Sequence, residues 1–128
     1  MTPETEKHLG KARDYIAKSR TFLDVNDYPD EAGRAAYLAA FHAAQALISE
    51  STGRIAKTHA GVHSQFNLLT KDESRVDAEL RHFLSDAFDL KSTADYEVGP
   101  DAVVSPQEAK AAIATALRFI ECVEDLLA

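Results

Sequence analysis

Residues 30–52 constrain the fold most, because eight alanines lie between Ala32 and Ala46. Alanine has the highest helix propensity, and its small side chain allows a neighbouring helix to approach closely. We therefore expect this segment to form the central, most enclosed helix of the protein. Asp30 is expected to cap its start, and Gly53 is expected to stop it.

Four further helices are predicted from apolar residues that recur every three or four positions. They cover about residues 3–24, 58–70, 75–94 and 105–127, with a loop at residues 97–104. Thr58 is a good N-cap, and Ser105 with Glu108 forms a capping box. Strand-like alternation is absent from the sequence, and 128 residues suit one core. The sequence thus predicts an all-α, antiparallel bundle of four to five helices in a single domain, residues 1–128.

Composition and charge restrict the classes of function. Fourteen basic residues against 21 acidic ones give a net charge of −7. This balance argues against a protein that coats a nucleic-acid duplex, while a local basic cleft stays open as an alternative. The single cysteine excludes an internal disulfide, and no apolar run or leader pattern predicts a membrane span or a signal peptide. We expect a cytoplasmic protein that does not associate with membranes.

His59 and His63 have the i, i+4 spacing that places two imidazoles on one helix face, as in zinc-binding helices. However, no glutamate follows His59 and no second Cys/His cluster is near in sequence. A third ligand would have to be His42 or His82. The pattern therefore favours solvated or capping histidines, and no metal or cofactor is predicted.

Large polar and aromatic residues recur at helical spacing within the alanine-rich segment: Arg34, Tyr37, Phe41, His42 and Gln45. Such groups beside small neighbours indicate either a buried hydrogen-bonded network or a functional cleft. Buried polar groups commonly satisfy one another, which favours the structural alternative.

A second polar group stands near the end of the fourth predicted helix, where the sequence reads LKSTADYEVG. Lys91 and Asp95 are four residues apart and should share a helix face, with Tyr96 beside them. They form either a helical ion pair with a packed tyrosine, or part of a site.

Four blocks of the chain resemble the HEPN superfamily, and within it the small branch found beside minimal nucleotidyltransferases in prokaryotes. The blocks are AAYLAAFHAAQALI (residues 35–48), KTHAGVHSQF (57–66), LKSTADYE (90–97) and SPQEAKAAIATALRFIECVEDLL (105–127). The resemblance covers nearly the whole chain. It implies an antiparallel helical bundle that usually forms a homodimer.

Many members of this superfamily look like metal-independent RNases whose signature is an Arg, four to six residues, and a His. The His would act as general acid and base, and the Arg would stabilise charge on the phosphorane. Here Lys91 stands in place of the Arg and Tyr96 in place of the His. Lysine lacks bidentate phosphate recognition, and tyrosine with a pKa near 10 is a poor base.

The literal matches to the signature, Arg54-x4-His59 and Arg75-x6-His82, lie outside the position of the signature in the family. With seven Arg and five His, about one chance match is expected from composition.

Two functions follow from the resemblance. The first is a dimer of the toxin–antitoxin type with a degenerate nuclease motif, which binds a minimal nucleotidyltransferase, a nucleotide or RNA. The alternative is an active metal-independent endoribonuclease toxin. The candidate catalytic residues are Lys91, Asp95 and Tyr96, and the candidate cleft residues are Arg34, Tyr37, His42, Lys57 and His59. Related proteins carry a tyrosine near the motif that looks like a nucleotide acceptor, so Tyr96 is also a candidate for modification.

Overall fold

Five helices build the protein in the computed structural model, which describes residues 1–96 and 104–128, with the backbone alone for 93–96. They are α1 (Pro3–Asp24), α2 (Pro29–Thr52), α3 (His59–Thr70), α4 (Ala78–Tyr96) and α5 (Pro106–Leu127). The described residues contain no strand, and the prediction of an all-α helical bundle is confirmed. The predicted loop at 97–104 lies outside the described residues except for Val104. None of the helices in the described part has the length and apolar character needed to cross a bilayer.

Three helix ends follow their local sequence signals: the starts of α3 and α5 and the end of α2. The Thr58 hydroxyl accepts a 2.9 Å hydrogen bond from the Gly61 backbone N–H at the start of α3. Ser105 and Glu108 form both bonds of the capping box that starts α5. Gly53 has φ 74°, the left-handed conformation that ends α2 and that glycine adopts without steric cost.

Asp30 does not cap α2 as predicted, because α2 already begins at Pro29. Its carboxylate instead accepts a 2.9 Å hydrogen bond from the Val104 backbone N–H. A proline at the first helical position needs no N–H partner, which moves the helix start one residue earlier. The Asp30 side chain is therefore used to tie the start of α5 to the start of α2.

The predicted start of α4 at Arg75 is also wrong, since α4 begins at Ala78. The Arg75 side chain and backbone N–H both donate to the Glu73 carboxylate, which stabilises a turn before the helix. Asp77 then accepts a 2.9 Å hydrogen bond from the Leu80 backbone N–H, in the manner of an N-cap.

The alanine-rich helix α2 lies at the centre and packs against each of the other four helices. All eight of its alanines between Ala32 and Ala46 are buried. The Thr5 hydroxyl near the start of α1 donates to Glu50 near the end of α2 at 3.0 Å, so these two helices run antiparallel. The prediction that this segment is the central, most enclosed helix is confirmed.

The Gln45 side chain fixes the connector between α2 and α3. Its Nε2 donates to the Ala56 carbonyl at 2.8 Å, and its Oε1 accepts from the Ala56 N–H at 3.1 Å. Gln45 is buried, so these two bonds satisfy groups that water does not reach. They set the position from which α3 begins at His59.

We predict that Gln45→Leu lowers the free energy of unfolding by about 2 kcal/mol, because both backbone groups of Ala56 lose their partner. Gln65→Leu, at an exposed position on α3, is the matched control and should change it by less than about 0.5 kcal/mol. Urea unfolding followed by circular dichroism measures both. Equal effects of the two substitutions would contradict the role assigned to Gln45.

Candidate functional site

One buried hydroxyl joins two imidazoles between α2 and α3. The Tyr37 side chain is fully buried, and its oxygen lies 2.7 Å from His59 Nδ1 and 2.9 Å from His63 Nε2. The i, i+4 spacing places both histidines on the face of α3 that meets α2. We call these three residues the Tyr37 triad.

Aromatic rings and one cation surround the triad. The centroid of the His59 ring lies 4.8 Å from that of Phe41 and 5.2 Å from that of Phe88. Phe88 also meets His63 edge-on at 5.7 Å, and Lys91 Nζ lies 6.0 Å from the Phe88 centroid. These five side chains are each partly exposed. Together with buried Tyr37 they form what we call the imidazole site.

Burial and charge keep the triad neutral near pH 7. Burial raises the pKa of Tyr37, so its hydroxyl stays protonated. Burial, and then the Lys91 charge, lower the pKa of His59 from its ordinary value of 6.5. Burial, and then the charge of His59, lower the pKa of His63, whereas Asp89 acts in the opposite direction. Each imidazole therefore carries one ring N–H at neutral pH.

A second histidine cluster adjoins the imidazole site on the α1 side. The Nδ1 atoms of His8 and His42 lie 3.0 Å apart, and the Tyr15 ring stacks on His42 with an interplanar angle of 5°. Burial, followed by the charges of His8 and Lys11, lowers the pKa of His42 to about 4. Phe41 contacts His42 edge-on at 5.3 Å and so connects the two clusters.

The remaining candidate residues lie around these clusters. Arg34, on α2, donates to both carboxylate oxygens of Glu31 at 2.7 and 2.8 Å. Lys57 is exposed in the connector before α3. Asp95 and Tyr96 are the last two residues of α4, and their side chains lie outside the described residues.

Three of the predicted residues, Tyr37, His59 and Lys91, are therefore brought together in the imidazole site. His42 belongs to the adjoining cluster. Arg34 pairs with Glu31, and the assignment of Arg34 to a cleft stays a prediction, as it does for Lys57, Asp95 and Tyr96.

The sequence interpretation of His59 and His63 as solvated or capping residues is wrong, since both bind the Tyr37 hydroxyl. The spacing of the two histidines indicated a shared face, but nothing in the sequence indicated the buried residue that this face meets. Within residues 1–96 and 104–128, no group of three or more His, Cys, Asp or Glu is arranged to hold a metal ion.

The sequence profile of the HEPN domain matches residues 5–126. The chain belongs to the HEPN family. Its structure is similar to the crystal structure of TT1696 from Thermus thermophilus, with a TM-score of 0.76 and 23% sequence identity over 97% of this chain and 98% of that chain. This likeness shows that the two chains share the same fold. Comparison with curated proteins gave no match.

The two literal Arg–His matches occupy separate parts of this HEPN bundle. Arg54 is exposed in the connector that precedes His59, whereas Arg75 binds Glu73 ahead of α4. His82 is exposed on α4. In contrast, Lys91 carries its charge close enough to His59 to lower the pKa of that ring. Position therefore favours Lys91 over either arginine as the cation of this site.

We predict that the stability of this HEPN protein depends on the protonation of His42. Its pKa is about 4 in the folded protein and near 6.5 in the unfolded chain, so the unfolded chain binds more protons at acid pH. The contribution of His42 is complete above pH 6.5 and is lost as the pH falls towards 4. Because His42 is partly exposed, solvent screening limits this loss to at most about 2 kcal/mol.

Urea unfolding between pH 4 and 8 tests this prediction. His42→Gln should flatten the pH dependence, and His82→Gln, at an exposed histidine, should leave it unchanged. An unaltered slope in His42→Gln would show that other groups cause it.

Proposed function

We propose that this HEPN protein is a homodimer that binds a nucleotide or single-stranded RNA at the imidazole site without cleaving it. The observation that carries the proposal is the partly exposed Phe88 ring, which lies beside His59 and has Lys91 Nζ over it, 6.0 Å from the centroid. Aromatic and imidazole rings stack on unpaired bases, and a lysine neutralises phosphate. One site thus offers both kinds of contact that a nucleotide needs.

The charge of the protein favours a short ligand. A net charge of −7 repels a long polyanion, whereas a local cation still attracts a single phosphate. Lys91 stands where the family signature has an Arg, and Tyr96 where it has a His, which favours binding over cleavage. A mononucleotide or a few nucleotides of single-stranded RNA fit these conditions better than a duplex.

We predict that Lys91→Ala weakens the binding of AMP and of a short RNA oligonucleotide by about tenfold and lowers the salt dependence of binding. Lys110→Ala, at an exposed position on α5, is the control and should leave both unchanged. Isothermal titration calorimetry at two salt concentrations measures the effect. Equal affinities in wild type and Lys91→Ala would overturn the assignment of the phosphate contact.

The dimer forms part of the proposal because partly exposed apolar surface surrounds the site. Tyr15, Phe41 and Phe88 pack against the core yet stay accessible to solvent. A two-fold contact near these residues would cover that surface and bring two imidazole sites to one cleft.

Light scattering at micromolar concentration should therefore return twice the chain mass of 14.0 kDa. A mass of one chain would contradict the proposed assembly.

The protein would act in the cytoplasm within a toxin–antitoxin type module, with a minimal nucleotidyltransferase as its partner. The resemblance of residues 90–97 to the branch associated with that enzyme supports this part of the proposal. The partner would transfer a nucleotidyl group from a nucleoside triphosphate to the Tyr96 hydroxyl, with release of pyrophosphate. This would add negative charge and bulk five residues after Lys91, which would oppose binding of a further phosphate.

The second candidate function is a metal-independent endoribonuclease. The observation that favours it is the pair of imidazoles of the Tyr37 triad beside the Lys91 cation, since a neutral imidazole can move a proton and a lysine can stabilise phosphate charge. Incubation of the protein with the same RNA oligonucleotide, followed by analysis of its length, distinguishes the two functions. Cleavage in the presence of EDTA that falls about 10²- to 10³-fold in Lys91→Ala would establish the nuclease instead.

A further inference from the structure

The Tyr37 hydroxyl has one proton but two close imidazole partners. Each short contact, to His59 Nδ1 at 2.7 Å and to His63 Nε2 at 2.9 Å, requires one proton between its two heavy atoms. Tyr37 supplies the proton of one contact, so a histidine must supply the other. With all three groups neutral, one histidine donates to the Tyr37 oxygen and the other accepts from the Tyr37 hydroxyl.

This restriction couples the two tautomers. If His59 donates through Nδ1–H, then His63 accepts at Nε2 and carries its own proton on Nδ1. If the direction reverses, His59 carries its proton on Nε2 and His63 donates through Nε2–H. Both rings therefore always hold the same tautomer, either Nδ1–H or Nε2–H.

The coupling determines what the ring nitrogens that do not face Tyr37 offer to a ligand. In the first arrangement His59 Nε2 is an acceptor and His63 Nδ1 is a donor, and in the second arrangement these roles are exchanged. The pair thus always presents one donor and one acceptor. Exchanging the roles moves both protons along the triad towards His63 and also requires His63 Nδ1 to release a proton and His59 Nε2 to take one up, through solvent or the ligand. The net charge is then unchanged.

We propose that this pair binds the edge of a nucleobase on which a donor stands beside an acceptor, as the adenine amino group stands beside a ring nitrogen. The inference rests on the proposed function and specifies its ligand. Phe41 and Phe88 flank His59 and are both partly exposed, so each offers an aromatic ring for contact with a base. Lys91, whose Nζ lies over the Phe88 ring at 6.0 Å from its centroid, is the cation nearest to this pair that a phosphate could contact.

The tautomers can be measured directly. Imidazole ¹⁵N chemical shifts at pH 7.5 should give equal Nε2–H fractions for His59 and His63 in the wild-type protein. In Tyr37→Phe the two fractions should become independent. An Nδ1–H tautomer in one ring with an Nε2–H tautomer in the other, in the wild-type protein, would overturn the coupling.

Ligand binding tests the recognition itself. Adenosine should bind at least about tenfold more tightly than purine riboside, which lacks the amino donor, because an unpaired donor or acceptor is costly. This preference should disappear in Tyr37→Phe. Circular dichroism checks that Tyr37→Phe is folded. If the variant is unfolded, the comparison of adenosine with purine riboside in the wild-type protein still tests the recognition.

The direction in which adenosine affinity changes with pH is an independent test. Protonation removes the acceptor, so adenosine should bind more weakly as the pH falls below 6.5, whereas a phosphate held by imidazolium would bind more tightly. A short oligoadenylate that binds more tightly than AMP identifies RNA as the source of the base, and equal binding identifies a free nucleotide. Both results support base recognition.

Failure of this inference differs from failure of the proposed function. If ribose 5-phosphate binds as well as AMP and adenosine does not bind, base recognition is overturned while nucleotide binding stands. If AMP, adenosine and the oligonucleotide all fail to bind, the proposed function is overturned as well.

Discussion

Close packing around the alanine surface of α2 is the constraint on which the rest of this HEPN structure depends. Larger side chains at these buried positions would push the surrounding helices apart at a cost of about 1–3 kcal/mol each. Gly33 belongs to the same surface, because a Cβ at this position would lie 3.2 Å from Leu90 Cδ2. The end of α4 therefore lies close to α2, and Lys91, the next residue, is carried to the imidazole site.

The polar residues of α2 are tolerated inside this packing because each has a specific partner. Gln45 binds both backbone groups of Ala56 and so positions the connector. Helix α3 begins three residues after Ala56, and this places His59 and His63 at the Tyr37 hydroxyl. The same buried polarity that stabilises the connection between α2 and α3 thus assembles the site.

The fold could be predicted from local signals, whereas most of the site could not. Alanine content, the Ser105 capping box and the Gly53 stop act within a few residues, so they are readable from sequence. The predicted start of α4 is wrong because Arg75 binds Glu73 in a turn rather than beginning the helix.

Contacts in the site depend instead on the register between helices. Tyr37 lies 22 residues from His59, and no local pattern encodes that pairing. The spacing of Lys91 and Asp95, together with the resemblance that puts Lys91 in place of the Arg of the signature, makes Lys91 a candidate from sequence. Its charge near His59 is a finding of the structure.

Protonation changes what the imidazole site can bind, and the Tyr37 hydroxyl limits that change to one step. If His59 gains a proton, its Nδ1–H donates to Tyr37 and the Tyr37 hydroxyl donates to His63, so both bonds of the triad survive. The two ring nitrogens that face away from Tyr37 are then both donors, and the site suits an anion instead of a base edge. A second proton, on His63, would leave the buried Tyr37 proton without its acceptor. Protonation of His63 is therefore disfavoured both by the repulsion between the two imidazolium charges and by the loss of this hydrogen bond. Lys91 disfavours even the first protonation of His59, and a phosphate bound at Lys91 would reduce that effect. In the proposed binding mode, occupation by phosphate and the choice between base edge and anion are therefore linked through Lys91 and the Tyr37 hydroxyl.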